Sequence, residues 1–515
     1  MENIYENVPV LNKFKINSEQ LVLENNISIN NEDEAVKVLS TSANVDLAMP
    51  IENLNGEANI SGTVVVDVVY LCEDGSLNNQ TAISPFTYKL ANENIDTTSK
   101  MNVNAKVVST QIDKLQGNQI KVLTTIGFDG VVVKNVDLKY LKESGSGTYT
   151  KQVEQDIVAF DKQNCDKFEE NLQANVKDGV KKVLMTNVDY VINEWTAGTN
   201  FISVEGELYA KVLYVNKQET PELQTITISK NFKQEIEADG LNKESDLDLF
   251  AHIINENVQV ELDEKDNGET TVDVNVPVLV CYNSYTLNKI LIVQDIYSTE
   301  DILSVEQGEC NSFRNLKPEV MVGKIEGNVV LTDNDPRIDK YLATTNVCSL
   351  ISNCYINDDT LYLEGIVSAN VVYLNDETGT VQSVEIEIPY VLDKKVDYNN
   401  DVLLEPVITL CDVDVMIKRG REIFFDAKAK AFVNVAIKEN ICLVTNTESM
   451  GVLPTRDSAL EIYFAKMGQS FWDIAKNLKI PTETIANQNP NLSDPLEKDE
   501  NIAIYYQKQR KTENN

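Results

Sequence analysis

The chain of 515 residues is long enough for about three or four domains of ordinary size. Its apolar content of 42% predicts folded cores rather than disorder. Acidic residues outnumber basic ones by 81 to 45, and the formal net charge is −36. A surface this negative repels phosphate backbones and anionic lipids, so we expect neither nucleic acid nor membrane charge as a direct partner. A protein with a basic patch would be attracted.

The first residues, MENIYENVPVLNKFKI, lack the basic and apolar segments of a secretory signal, and we expect a protein that is not secreted. No apolar run approaches the roughly 20 residues that cross a bilayer. Without a signal and without a Cys-x-x-Cys pair, the cysteines are expected to be reduced thiols. These eight residues are Cys72, Cys165, Cys281, Cys310, Cys348, Cys354, Cys411 and Cys442.

One sequence pattern occurs three times. The copies read ISGTVVVDVVYLCEDG, VEGELYAKVLYVNKQE and LEGIVSANVVYLNDET. In each copy a glycine is followed eight residues later by a tyrosine, and apolar residues alternate between them. This period of two, with many β-branched residues, predicts a strand with one buried face. The three pairs are Gly62 and Tyr70, Gly206 and Tyr214, and Gly365 and Tyr373.

Other landmarks recur around this strand. A leucine lies 22 or 23 residues before each glycine, where a short helix or turn is expected: Leu39, Leu184 and Leu342. An aromatic residue lies 16 to 18 residues after each tyrosine: Phe86, Phe232 and Tyr390. Further on comes a glycine typical of a hairpin turn: Gly117, Gly268 and Gly420.

These repeats predict a mainly β fold with three tandem β-rich units, at 1–150, 151–305 and 306–452. Short strands joined by hairpins favour sandwich- or barrel-like packing, and the sequence does not choose between the two. The Gly145-Ser146-Gly147 stretch marks the first boundary. A small module is expected at 459–507, and a disordered tail at 508–515.

A search for catalytic chemistry yields little. His252 is the only histidine, and the favoured interpretation is a strand residue at a domain surface. No nucleophile-elbow motif or phosphate-binding glycine loop is present. The DEKDNGE stretch from Asp263 resembles half a calcium loop but reads better as a hairpin tip. Trp195 is expected in a core or turn, with a surface contact as the alternative. We therefore predict a non-enzyme without metal or cofactor.

After Pro454 the pattern becomes helical. EIYFAK predicts a strand, and Ser470 with Asp473 forms a capping-box signal for a helix. Thr482 is the expected cap of a second helix, which Asn489-Pro490 ends, and NIAIYY predicts a closing strand. The predicted order is β-α-α-β.

This segment resembles a LysM domain. The residues that carry the resemblance are Tyr463, Gly468, Ser470, Phe471, Trp472, Ile474, Ala475, Ile485, Asn489, Leu492, Ile502 and Ile504. The resemblance implies a shallow glycan groove between two loops. The corresponding residues here are Met467, Gly468, Gln469, Ser470, Phe471, Trp472, Asn489, Pro490, Asn491 and Leu492.

Two departures from the LysM pattern weaken the glycan interpretation. Gln469 replaces the usual aspartate, and Asp499-Glu500 replaces the usual Gly-Gln. Trp472, Ile474 and Ala475 also have an alternative role as core residues, because so small a module needs its large apolar side chains for folding.

The repeated unit together with a LysM domain resembles the SPOCS-domain spore coat morphogenetic proteins, in particular the clostridial SipL group. The resemblance implies an assembly adaptor in the mother-cell cytoplasm at the forespore surface. Its implied partners are the ATPase of the coat basement layer and other coat proteins. A peptidoglycan-binding wall or cortex protein, which recognises N-acetylglucosamine glycan, is the alternative.

Overall fold

The computed structural model describes residues 3–29, 35–116, 118–218, 222–332, 335–398, 401–456 and 458–506. Strands dominate this part of the chain, and every strand pair in it is antiparallel. The mainly β fold class is thus confirmed. The predicted hairpin at Gly117, the tail at 508–515 and the end of the 459–507 module at Gln507 lie outside the described residues.

Three units of seven strands follow one another. The first contains β1 (Ile4–Ser28), β2 (Ala35–Leu47), β3 (Glu52–Leu54), β4 (Glu57–Cys72), β5 (Leu77–Ala91), β6 (Lys100–Gln116) and β7 (Gln119–Glu143). The second contains β8 (Thr148–Val176), β9 (Val180–Ala197), β10 (Phe201–Asn216), β11 (Leu223–Glu237), β12 (Asp246–Ile253), β13 (Gln259–Glu264) and β14 (Thr270–Ser298). The third contains β15 (Asp301–Asn315), β16 (Glu319–Val330), β17 (Ile338–Asn357), β18 (Thr360–Asn375), β19 (Val381–Lys395), β20 (Val402–Lys418) and β21 (Glu422–Val452). The last module contains β22 (Leu460–Ala465), α1 (Phe471–Leu478), α2 (Thr482–Gln488) and β23 (Glu500–Tyr505).

Each unit is a sandwich of two sheets. One sheet is a meander with the repeat strand in its centre, ordered β2-β4-β5, β9-β10-β11 and β17-β18-β19. The other has the last strand of the unit in its centre, as in the order β1-β7-β6. Residues of the two sheets pack into one apolar core per unit, as when Val64 and Val66 of β4 join Ile126 and Phe128 of β7. The alternating pattern therefore produced sandwiches rather than barrels.

The repeated glycine and the later aromatic residue are cross-strand partners in all three units. Gly62 lies opposite Phe86, Gly206 opposite Phe232 and Gly365 opposite Tyr390. A Cβ on Gly206 would lie 2.5 Å from the Phe232 ring and 2.4 Å from the Val191 carbonyl oxygen. Only glycine leaves room for the ring to lie across the strand, which explains the spacing of the two residues.

The helix or turn expected at the repeated leucines was wrong. Leu39, Leu184 and Leu342 lie inside strands β2, β9 and β17. Each sits at a register shift opposite the repeat tyrosine, because the residues on either side of it pair with consecutive residues of the partner strand. The local interruption of the pattern is therefore a β-bulge at the same place in every unit.

The three units share apolar clusters in addition to their own cores. The first and last strands of each unit extend beyond its sandwich, and their ends meet. One such cluster contains Val8, Val10, Leu138, Tyr140, Ile157, Ile292, Ile441 and Leu443. Because equivalent strands of all three units contribute, the units pack around a common centre with approximate threefold repetition.

A buried polar group also joins the three units. The Lys13 ammonium of the first unit lies 2.7 Å from the Asp248 carboxylate of the second and 3.7 Å from the Glu405 carboxylate of the third. The Tyr285 hydroxyl donates to Asp248 at 2.7 Å. Burial lowers the pKa of Lys13, but the adjacent carboxylates outweigh it and raise the pKa above its usual value.

The expectation that all cysteines are free thiols was wrong for one pair. Cys165 of β8 lies directly opposite Cys281 of β14, and the two form a disulfide. The spacing of 116 residues gives no sequence signal for this pairing, because only the strand register places the two residues side by side. The other six cysteines are free.

Candidate functional site

The predicted start of helix α1 in the C-terminal module is confirmed, whereas the predicted cap of α2 is wrong. Thr482 is the first helical residue, Pro481 precedes it, and no side chain in the described part of the chain caps this helix. The Ser470 side chain accepts from the Asp473 backbone N–H, and the Asp473 carboxylate accepts from the Ser470 backbone N–H, which completes a capping box. The Ser470 hydrogen bonds lower the pKa of Asp473. Four residues on one face of the helix are buried: Phe471, Ile474, Ala475 and Leu478. They pack with Ile485, Leu496, Ile502 and Ile504, so the module has its own core.

The first loop of the predicted groove, Met467–Phe471, uses its backbone donors internally. The Met467 N–H donates to Asp499 and the Phe471 N–H to Asp494, both at 2.9 Å. The remaining three acceptors are the Leu496 carbonyl for Gly468, the Lys466 carbonyl for Gln469 and the Asp473 carboxylate for Ser470. A ligand carbonyl therefore meets a loop whose five N–H groups already have partners.

The two departures from the LysM pattern stabilise this loop. The Gln469 side-chain oxygen accepts from the Lys466 N–H at 2.8 Å. Asp499 accepts from Met467 and forms an ion pair with Lys466 at 3.1 Å. The Met467 hydrogen bond, aided by Lys466, lowers the pKa of Asp499. Both residues thus close the loop on itself.

The second loop of the predicted groove, Asn489–Leu492, is partly exposed. The Asn489 amide donates to the carbonyls of Ile485 and Ala503, at 3.3 and 3.2 Å. Pro490 and Asn491 are exposed, and Leu492 is half-buried against the module core. Met467 and Gly468 are exposed in the facing loop, whereas Phe471 is buried. The accessible part of the groove therefore consists of Met467, Gly468, Pro490 and Asn491, flanked by the half-buried Gln469, Ser470, Asn489 and Leu492.

Trp472, which was predicted in the groove, instead faces the second β unit. Its indole N–H donates to the Asp295 carboxylate at 2.8 Å, and its ring meets the edge of Tyr297 at 5.0 Å. Lys476 also binds Asp295, at 2.6 Å. The Tyr297 hydroxyl donates to the Ile480 carbonyl at 2.8 Å. This contact, which we call the docking contact, holds the module against the end of β14.

Sequence reasoning missed an apolar surface on the face of the β22–β23 sheet that points away from the module core. The side chains of Leu460, Ile462 and Phe464 alternate along β22 and are exposed, Phe464 by 72%. Tyr505 lies opposite Leu460 and is also exposed. We call these four residues the sheet face. The alternation of apolar residues in LEIYFA indicates such a surface, but the sequence analysis used this stretch only to predict a strand.

The other residues singled out in the sequence lie elsewhere. His252 is on β12, as expected of a strand residue, but it lines a cavity between units rather than the outer surface, and burial lowers its pKa to about 4. Asp263 belongs to a hairpin whose turn contains Gly268 with a φ of +87°. Trp195 packs against Phe432 of the third unit at 5.2 Å, an inter-unit contact.

The described residues lack two further features. No group of three or more His, Cys, Asp or Glu side chains among them is arranged to hold a metal ion. Neither helix in this part of the chain has the length and apolarity needed to cross a bilayer.

Comparison with known families identifies two segments. Residues 179–263 match the family model described as SipL, SPOCS domain, and residues 463–496 match that of the LysM domain. Among curated proteins and solved structures, none matches the chain. The first segment covers β9 to β12 and most of β13 in the second unit, and the second covers most of the C-terminal module. Both families are binding modules without catalytic chemistry, and they connect the chain with the spore coat and with glycan binding. The chain therefore carries a SipL SPOCS domain followed by a LysM domain.

Proposed function

We propose that the protein is a non-enzymatic adaptor of spore coat assembly, with the LysM domain as its partner-binding module. The proposed partner is the ATPase of the coat basement layer, and other coat proteins bind the three β units. The proposed location is the mother-cell cytoplasm at the forespore surface. The observation that carries the proposal is the sheet face, Leu460, Ile462, Phe464 and Tyr505.

An exposed apolar face on a small module is typical of a protein interface. Phe464 and Tyr505 are aromatic residues of the kind that dominate binding energy in such interfaces. A glycan groove needs no such surface on the outer side of the sheet. The chain also carries a net charge of −36, so a partner with basic residues around an apolar patch is favoured electrostatically.

The internal hydrogen bonds of the Met467–Phe471 loop also favour a protein partner over a glycan. Asp499 and Asp494 occupy the N–H groups of Met467 and Phe471, and both add negative charge beside the groove. A glycan amide oxygen would have to displace a carboxylate to reach either donor, which costs a charge-assisted hydrogen bond.

Co-purification of the full-length chain with the coat ATPase tests the proposal. We expect Phe464→Asp to abolish co-purification, because a carboxylate would be buried in an apolar interface. Leu287→Asp is the matched control, since Leu287 is an exposed apolar residue on β14 of the body. If Phe464→Asp and a deletion of 459–507 both leave the ATPase bound, the LysM assignment is wrong.

Glycan binding is the second candidate, because residues 463–496 match the LysM family. Retention on purified peptidoglycan at low salt tests it. Asn491→Ala changes the exposed groove without touching the sheet face, so it would reduce glycan retention but leave the ATPase bound. No retention of the unaltered chain would remove this candidate.

Tagging the protein with a fluorescent domain in sporulating cells tests the location. A ring around the forespore is the expected result. A uniform signal in the mother cell would contradict an adaptor that acts at the forespore surface.

A further inference from the structure

A cavity of about 350 Å³ lies where the three β units meet. The first unit lines it with residues of β1 and β6, the second with residues of β9 and β12, and the third with residues of β17, β20 and β21. Its volume lies in the range of small-molecule sites, which is about 300–1,000 Å³. No single unit forms the cavity, so it exists only in the assembled body.

Two lysines give the cavity its charge. Lys106 is half-buried in the cavity wall, and no ion pair or hydrogen bond of its ammonium occurs among the described residues. Burial lowers its pKa, although the Asp129 carboxylate acts against this. Lys15 is exposed and likewise forms no ion pair in the described part of the chain. Both ammonium groups can therefore meet an anion in the cavity.

The remaining charged groups of the cavity have other partners or lie at its edge. Glu405 faces the buried Lys13 at 3.7 Å, and burial raises its pKa. Lys430 is paired with Glu207 at 2.6 Å. Asp129 is exposed, and His252 is neutral at pH 7 because burial lowers its pKa to about 4. Lys106 is therefore a half-buried cation of the cavity wall that forms no ion pair among the described residues.

Much of the cavity wall is apolar. This apolar part includes Val103, Ile192, Leu249, Ala251 and Phe432, all of them buried. A simple inorganic anion would leave this wall without contacts, whereas a hydrocarbon group would cover it.

We propose that the cavity binds a small organic carboxylate. The anionic group meets Lys106 and Lys15, and the hydrocarbon part lies against the apolar wall. The carboxylate forms the ion pair that the half-buried Lys106 ammonium lacks among the described residues. This site is independent of the LysM domain and of the partner that it binds.

Titration of the full chain with benzoate and with benzamide tests the proposal, because the two probes have nearly the same shape and differ in charge. Calorimetry gives both affinities, and ligand-observed NMR detects weak binding. We expect benzoate to bind at least about tenfold more tightly than benzamide, since only benzoate carries the negative charge that forms an ion pair with the two ammonium groups.

Lys106→Met is expected to lower the benzoate affinity about tenfold or more and to leave the benzamide affinity unchanged. Lys15→Ser, at an exposed position, is expected to lower the benzoate affinity by a smaller factor, and it serves if Lys106→Met does not fold. Lys89→Met is the matched control, because this exposed lysine pairs with Glu57 outside the cavity. Equal affinity for the two probes, no benzoate binding at millimolar concentration, or benzoate binding that neither cavity variant weakens would each overturn the proposal.

Discussion

The β body and the LysM domain are held together in different ways. In the body, strands of all three units contribute to the same apolar clusters, and a buried ion-pair group joins the units. The LysM domain has a core that Tyr297 and Tyr149 of the second unit extend, and the polar contacts of Asp295 lie beside these tyrosines. Among the described residues the module thus shares one apolar cluster with the body, whereas the three units share several with one another.

The same contrast exists inside the body. The glycine–aromatic pair and the leucine bulge recur in every unit and build each sandwich. Lys13, Asp248 and Glu405 instead join the units to one another, and His252 lines the cavity between them. One set of residues therefore builds each unit, and another set holds the three units together.

The largest expected effect is on the assembly of the body. Lys13→Met leaves the buried carboxylates of Asp248 and Glu405 without their cation, so we expect a loss of about 3–5 kcal/mol in the free energy of unfolding. Urea unfolding at pH 7 measures it. Lys142→Met is the control, because its ion pair with Glu6 is exposed to solvent and contributes little to stability. Similar losses in the two variants would contradict the role of the buried group.

A smaller loss is expected inside one unit. Gly206→Ala forces a methyl group against the Phe232 ring and the Val191 carbonyl, which we expect to cost about 2–3 kcal/mol. Thermal and urea unfolding measure the change. Val391→Ala, at an exposed position on β19, should change stability by about 0.5 kcal/mol or less. A tolerated Gly206→Ala would show that the ring moves aside and that the pair does not set the spacing.

The next effect depends on pH. His252 has a pKa of about 4 in the folded protein, below its usual value of about 6.5. The unfolded chain therefore binds a proton first as pH falls, and this residue destabilises the fold progressively between about pH 6.5 and pH 4. At pH 5 the contribution is about 2 kcal/mol.

His252→Gln removes this contribution. The difference in unfolding free energy between pH 7 and pH 5 should be smaller in the variant than in the unaltered chain. Asp189 and Asp246, whose pKa values burial raises to about 6, act in the opposite direction and are present in both proteins. An identical pH dependence in the two proteins would contradict the buried, neutral state of His252.

The smallest effect is expected at the docking contact. Asp295→Ala removes the acceptor of Trp472 and the partner of Lys476, which we expect to weaken docking by about 1–2 kcal/mol. Trypsin cleavage after Arg456 should become faster, because this exposed residue lies between β21 and β22, and an undocked module leaves that connection free to enter the protease. Asp295→Asn keeps an acceptor for Trp472, so its cleavage rate should lie between those of the unaltered chain and Asp295→Ala. Unchanged cleavage would mean that the polar contact does not hold the module.

Much of the fold was predictable because its signals are local. Period-two alternation gave the repeat strands, the Ser470–Asp473 pair gave the start of α1, and the Asn267-Gly268 turn gave a hairpin. The leucine bulges were misread, because a bulge interrupts the period just as a turn does and only the partner strand distinguishes them. The Cys165–Cys281 disulfide had no local signal at all.

The candidate site was predictable only in outline. The loops of the LysM groove follow from the family pattern, but the direction in which Trp472 faces does not. Spacing along α1 places Trp472 beside Phe471 without saying whether its indole meets a ligand or another part of the chain. The exposure of Phe464 likewise depends on what covers the outer side of a two-stranded sheet, and in the described residues nothing does.

The sequence by itself determined three repeated β units, a LysM domain and an acidic surface, because these depend on periodicity, spacing and composition. The tertiary structure decided that the units meet around Lys13 and an inter-unit cavity, and that Asp295 holds Trp472. These contacts join residues more than a hundred positions apart, and only packing between folded units brings such residues together.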